Sequence, residues 1–374
     1  MKKFLLLFAL AVVAMPCGAH CPCPSNEIWY TNGSTTEPTK PIDTFGVNII
    51  SNTYYAENEC WVIKFDGDIT SIGELAFAQC SSLTSVTIPD SVTTIRHDAF
   101  SGCSNLRSIT IPDSVTTIGS NAFEGCSSLK EFNGKYASED GRCLIIDGTL
   151  ISFAPAGLAE YTIPDSVTTI GAWAFRGCSS LTSVTIESSV TTIGGTAFRD
   201  CRSLTSIAIP DSVTTIEDFA FYWCDSLTSV TIPDSVTTIG DRAFSECYSL
   251  TSVTIPDSVT TIGGYAFYNC SSLTSITIPD SVTKIEDYAF GSCRSLTSVT
   301  IPDSVTSIGD EAFSYCSSLT SVYCKAVTPP AGGYYMFDDN ASGRKIYVPT
   351  ESVEAYKSAK YWSNYADDIV GYDF

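Results

Sequence analysis

Sixteen cysteines, two histidines and 41 carboxylates are the side chains of this 374-residue chain that could carry covalent, metal or acid–base chemistry. His97 is the only histidine beyond the N-terminal leader, and it stands in a slot where other copies of the surrounding pattern carry Ser120 or Asp218. A Cys–His nucleophile needs an exposed thiolate beside its base, yet the nearest cysteines, Cys80 and Cys103, belong to a column of core positions. No glycine-rich phosphate loop and no His/Cys cluster with metal-ligand spacing occurs, and paired carboxylates recur only as copies of one unit. The residues therefore point to no enzyme, no metal and no cofactor.

The cysteine spacing is the informative signal. Cys80, Cys103 and Cys126 are 23 residues apart, and so are Cys178, Cys201, Cys224, Cys247, Cys270, Cys293 and Cys316. A fixed period of this size marks a solenoid, in which each unit buries its apolar face against its neighbours. One unit runs from Leu250 to Ser272. Its L-x-x-V-x-I start places Val253 and Ile255 on one face of a strand. Pro256-Asp257 turns the chain, V-x-x-I returns two apolar residues to the core, and Gly263 makes a corner. In A-F-x-x-C, the three- and four-residue spacings put Ala266, Phe267 and Cys270 on one face of a short helical turn. The fold expected is a leucine-rich-repeat α/β solenoid with one parallel strand per turn and a helical turn opposite. Thirteen turns stacked ~4.8 Å apart make a rod or arc of ~60 Å.

Strand starts recur at Leu83, Leu106, Leu129, Leu158, Leu181 and onward to Leu319, with Cys60-x-x-Ile63-x-Phe65 as a degenerate first strand and Ile346-Tyr347-Val348-Pro349 as a degenerate last one. The unit at 129–157 lacks the V-x-x-I and A-F-x-x-C half. Two apolar runs flanking Asp147-Gly148 take its place, a hairpin signal. The solenoid is expected over 60–324, with cap segments at 20–59 and 325–374. Tyr356, Tyr361, Trp362 and Tyr365 are expected to cover the last turn. Lys2 and Lys3 followed by the apolar run Phe4–Met15 read as a signal peptide, residues 1–19, cut after Ala19. Lipidation at Cys17 is the competing reading. No later segment is long and apolar enough to span a membrane.

The unit C-x-x-L-x-x-V-x-I-P-x-x-V-x-x-I-x-x-x-A-F resembles the BspA-like leucine-rich repeats of bacterial surface proteins, over about residues 60–324. The resemblance implies a parallel-stranded solenoid on the surface of host-associated bacteria, with adhesion to host proteins or other cells in some members and no enzymatic activity. It supplies no binding residue, because ligands differ between members.

Three columns are candidates for chemistry or binding. The cysteines, with Cα atoms near 5 Å in adjacent turns, are within reach of disulfides, of a metal chain, or of packing as small apolar groups. The Asp column, Asp90, Asp113, Asp165, Asp211, Asp234, Asp257, Asp280 and Asp303, repels itself by only about 0.8 kcal/mol per neighbour in water, so it needs no cation. Outward Ser/Thr pairs such as Ser252/Thr254 form a hydroxyl ladder open to solvent or to sugars. Variation concentrates just before Ala, just after Phe and around Cys, on one outer edge. Trp173, Phe219, Tyr222, Trp223, Tyr248, Tyr265, Tyr268, Tyr288 and Tyr315 lie there. Aromatic residues and Arg dominate protein interfaces, so this edge is the candidate binding site. Unconstrained surface slots are the alternative. A net charge of −21 repels nucleic acid and anionic lipid. The sequence thus points to a secreted or surface-attached binding protein whose partner is an extracellular protein or cell-surface macromolecule. A spacer rod without ligand, or a carbohydrate-binding protein, are the other readings. If the Asp column carries no ion, chelation with EDTA leaves the melting temperature unchanged. A fall of several degrees would reveal structural calcium.

Overall fold

The computed structural model describes residues 23–35 and 44–374, so the expected signal peptide and Cys17 lie outside the described residues. Each 23-residue coil has three sides. The first is a strand of about three residues, such as Ser183–Thr185, which pairs in parallel with Glu160–Thr162 and Ser206–Ala208 in the adjacent coils. The second is the V-x-x-I return, such as Thr192–Ile193, which is itself a strand. These short strands stack into a ten-stranded sheet that runs from Cys143–Ile146 to Ala331–Gly332. Pairing is in register at the repeat period, Ser229↔Ser252, Val230↔Val253 and Thr231↔Thr254. A slip by one residue would turn Val253 outward.

The third side corrects one expectation. The A-F-x-x-C segment is not a helical turn. The residue before Ala and the residue before Cys both have positive φ, as at Tyr265 (57°) and Asn269 (58°). Left-handed residues break a helix after one step. The segment is a run of tight turns, with Tyr268 N–H donating to the Tyr265 carbonyl at 3.0 Å and Cys270 N–H to that of Phe267 at 3.3 Å. The intervening N–H groups point along the stack: those of Tyr265, Phe267 and Asn269 donate to the carbonyls of Asp287, Ala289 and Gly291 in the next coil, each at 2.8 Å. Among the described residues the sole α-helix is Val353–Ser358.

The core is a set of columns. Almost all of the Leu, Val, Ile, Ala, Phe and Cys of the regular coils are buried, Cys80, Ile118 and Leu158 being half-buried, and Ala266, Phe267 and Cys270 are fully buried. The Phe rings stack face to face, Phe221–Phe244 at 5.1 Å and Phe244–Phe267 at 5.5 Å. The ten cysteines of the repeat column, Cys80 to Cys316, are free thiols. Most of the column donates backward to the Phe carbonyl of the preceding coil, for example Cys247 to Phe221 at 3.3 Å and Cys270 to Phe244 at 3.2 Å. Hydroxyls add a second ladder, distinct from the outward Ser/Thr pairs: Thr251 donates to the Thr228 carbonyl at 3.0 Å and Ser258 to that of Val236 at 2.6 Å.

The hairpin expected around Asp147-Gly148 is present, Cys143–Ile146 pairing antiparallel with Thr149–Phe153. Asp147 and Gly148 both have positive φ, as a type I′ turn requires. Its second strand continues the inner sheet, Leu150 opposite Ile170. The core divides at this coil into two clusters. The N-terminal end departs from expectation. Cys60–Phe65 is not the first rung of the parallel ladder. Strand Glu27–Thr31 inserts between it and Ser85–Thr87, antiparallel to both, so a mixed sheet closes that end. At the other end Lys345–Pro349 does continue the ladder and is followed by Ile369–Tyr372. Tyr356, Trp362 and Tyr365 are buried over the last coil, whereas Tyr361 turns outward onto Tyr334. No helix among the described residues is long and apolar enough to cross a membrane.

Two outcomes follow. Phe244→Ala removes a ring from the middle of the stack and should cost about 3–5 kcal/mol, whereas Thr254→Ala, on the exposed face of its strand, should change stability by less than about 0.5 kcal/mol; urea unfolding separates them. Burial pushes the Cys80 thiol up to about 11 and those of Cys126 and Cys201 to about 12. They therefore stay protonated at pH 8, and iodoacetamide should leave the column unlabelled until the chain unfolds, half-buried Cys80 reacting first.

Candidate binding edge

The edge follows from the turn geometry. A residue before Ala sits in the left-handed conformation, and the residue after Phe, three positions on, shares the outer side of the turn with it. Because coils are in register, residues 23 apart are vertical neighbours. Side chains in these columns therefore meet both within a coil and between coils.

Within coils, Trp173 lies under the Arg176 guanidinium at 4.6 Å, Phe219 meets Tyr222 edge to face at 5.6 Å, and Tyr265 meets Tyr268 at 5.4 Å. Between coils, Arg199 lies over Tyr222 at 5.1 Å and Tyr265 stacks on Tyr288 at 4.4 Å. Arg242 is held between Phe219, at 5.3 Å, and Tyr265, at 4.3 Å. Trp223 stacks on Tyr222 at 5.0 Å and is covered by Arg202, also at 5.0 Å. Each such contact contributes ~0.5–1 kcal/mol at a partly exposed site. Together they join Trp223, Tyr222, Phe219, Arg242, Tyr265 and Tyr288 into one continuous run.

The remaining candidates stand apart. Trp173 is separated from this run by the coil of Thr196. Tyr248 is exposed, and its hydroxyl is pushed up to about 12, first by a hydrogen bond to Glu246 and then by burial. Tyr315 is 52% exposed. Seven of the nine candidate residues are half-buried, because neighbouring rings and guanidiniums cover them; only Tyr248 and Tyr315 are exposed. Arg176, Arg199, Arg202 and Arg242 join the aromatic candidates only through the structure, which pairs rings with guanidiniums. The signal was available: Arg199 and Tyr222, and Phe219, Arg242 and Tyr265, are spaced by the repeat period. Acidic groups balance the arginines, Asp200 bridging to Arg199 at 3.4 Å and to Arg202 at 2.9 Å.

The other candidate columns hold no comparable constellation. His97 is exposed, and Cys80 and Cys103 are half-buried and buried. Every residue of the Asp column is exposed, and among the described residues no group of three or more His, Cys, Asp or Glu could hold a metal ion.

The profile of the BspA type leucine rich repeat region matches residues 48–139, 151–273 and 237–364, in six copies. Among solved structures, a leucine-rich repeat protein from Bacteroides ovatus is 29% identical, with a TM-score of 0.53 over 87% of this chain and 92% of that one. One from Eubacterium ventriosum is 27% identical, with a TM-score of 0.54 over 67% of this chain and 81% of that one. A leucine rich cell surface protein from Faecalibacterium prausnitzii is 36% identical, with a TM-score of 0.49; the match spans 55% of this chain and 56% of that one. The comparison with curated proteins returns no match. With a solenoid of 23-residue coils and a repeat profile that spans most of its length, the chain belongs to the BspA-type leucine-rich-repeat family.

Proposed function

We propose that this chain is a secreted or surface-attached adhesion module, a protein that binds an extracellular protein or cell-surface macromolecule without turnover, and that the edge from Trp173 to Tyr315 is its binding surface. One observation carries this reading. The residue before Ala is left-handed in every regular coil, a conformation that costs a residue with a Cβ about 1–2 kcal/mol and suits Gly or Asn. Four of them instead hold Trp173, Phe219, Tyr265 and Tyr288, at φ of 69, 58, 57 and 56°. Large rings kept at strained positions are a reason to look for function.

The physics of recognition agrees. The rings are already held by Arg176, Arg199, Arg202 and Arg242, so little rotamer freedom is lost on contact. Asp200 and Glu124 pair with three of these arginines, so the edge offers rings and planar guanidiniums at little net charge, which favours a partner with apolar groups and hydrogen-bond acceptors. Export by the N-terminal signal, with cleavage after Ala19 or a lipid at Cys17, would deliver the edge to the cell exterior.

The test is direct. A variant with Tyr222, Trp223, Tyr265 and Tyr268 all changed to Ser should keep its far-UV circular dichroism, because none of the four enters the core. Its adhesion to matrix proteins or cells should fall at least tenfold. Unchanged adhesion by the folded variant would reject this edge as the binding surface.

A further inference from the structure

The hydrogen-bond columns of the turn side run the length of the solenoid and break once. Asp98, Phe100 and Gly102 donate to the next coil's Ser120, Ala122 and Glu124 carbonyls at 3.2, 2.8 and 2.7 Å. The following trio, Asn121, Phe123 and Gly125, meets no carbonyl among the described residues, because the hairpin-bearing coil has no turn side. Across the break, the carbonyls of Ala172, Ala174 and Arg176 receive no protein N–H, although the equivalent carbonyls one coil on, those of Gly195, Ala197 and Arg199, accept from Trp173, Phe175 and Gly177 at 3.2, 2.8 and 2.9 Å. A third group confirms the register. Cys201 donates its thiol proton to the Phe175 carbonyl of the coil before it at 3.1 Å. Cys178, only 4% exposed, makes no such bond, since no A-F turn precedes it.

Both turns border one narrow recess, whose floor is Ile151, Ser152, Phe153 and Pro155 and whose cavity volume is only about 30 Å³ while the Arg176 and Glu124 side chains span it. Arg176 reaches across to Glu124 at 3.4 Å and closes the mouth. Arg176 Nε and Asn121 Oδ1 are buried there without a protein partner.

We propose that this recess is a peptide-binding slot, in which the main chain of a partner protein enters as the missing turn. The walls have opposite polarity, N–H groups on one side and carbonyls on the other. An anion would suit the first wall and be repelled by the second and by Glu124; a cation would meet the reverse. A polypeptide backbone offers acceptors on one side and donors on the other, and the regular coils demonstrate the fit. The incoming chain accepts from Asn121, Phe123 and Gly125, donates to Ala172, Ala174 and Arg176, and presents a carbonyl to the Cys178 thiol. This is strand addition at a sheet edge transposed to a turn. Phe153 already occupies the ring position beneath, 4.8 Å from Phe175, so the entering residues must be small. The Arg176–Glu124 pair parts to admit them. The slot is separate from the run of rings between Phe219 and Tyr288 and does not depend on it.

The probe is a phage-displayed library of random 12-residue peptides panned against the full chain, with enriched peptides then synthesised. Saturating peptide should slow hydrogen exchange at the amides of Asn121, Phe123 and Gly125 at least tenfold in the unaltered protein. Ser152→Trp, which fills the floor, should weaken binding at least tenfold, and Glu124→Gln, which frees the clasp, should tighten it severalfold. The Ser variant of the aromatic edge should bind as the parent does. An unenriched library, protection confined to other amides, or equal binding by a folded Ser152→Trp chain would overturn the proposal.

Discussion

Except at the hairpin, each coil gives three turn-side N–H groups to the carbonyls of the coil that follows it, and this repeated transfer fixes how every other column lines up. A bond of this kind is modest alone, ~1 kcal/mol net, but it cannot form unless successive coils are in register. Once they are, Phe stacks on Phe, most of the Cys thiols find the Phe carbonyl behind them, and Thr hydroxyls meet Thr carbonyls at the same period. The apolar burial that drives folding and the polar ladder that specifies it therefore demand the same 23-residue repeat.

The ladder also has a direction. All of its N–H groups face the C-terminal end and all of its carbonyls the N-terminal end, so each column carries aligned dipoles much as a helix does. Both ends are met by cap residues: Thr44 Oγ1 donates to the Glu74 carbonyl at 3.0 Å, and the Tyr365 hydroxyl accepts from Phe337 N–H at 3.2 Å. The interruption at the hairpin has no equivalent cap. The two core clusters, the strand ladders and the Phe stack all change over within the same stretch of chain, which makes this coil unlike any other in the molecule.

The outer edge follows from the same geometry. A backbone that alternates in handedness at the turn throws two side chains per coil outward, three residues apart, and the register stacks them vertically. Rings and guanidiniums placed there have neighbours above, below and beside them, which is why most are half-buried although they form no part of the core. Ordering them in this way leaves a firm surface where a loop would leave a mobile one.

Much of this was legible in the chain itself. Local spacing was enough to specify the period, the buried columns, the strand–turn–return order and the Asp147-Gly148 hairpin, because alternation and turn chemistry act between near neighbours. The candidate edge was legible as well, as the place where otherwise constant copies differ. Three features were decided only by the stacked structure. A-F-x-x-C has helical spacing, yet it folds as alternating turns, because its N–H groups gain better acceptors in the next coil than four residues back. Cys60–Phe65 has the look of a first rung, yet Glu27–Thr31 inserts beside it, because an end coil must satisfy an open edge with whatever strand can reach it. The opposed polar walls at the hairpin belong to residues about 50 positions apart. Their lack of partners has no local signature, since a missing hydrogen bond becomes visible only where two coils should have met.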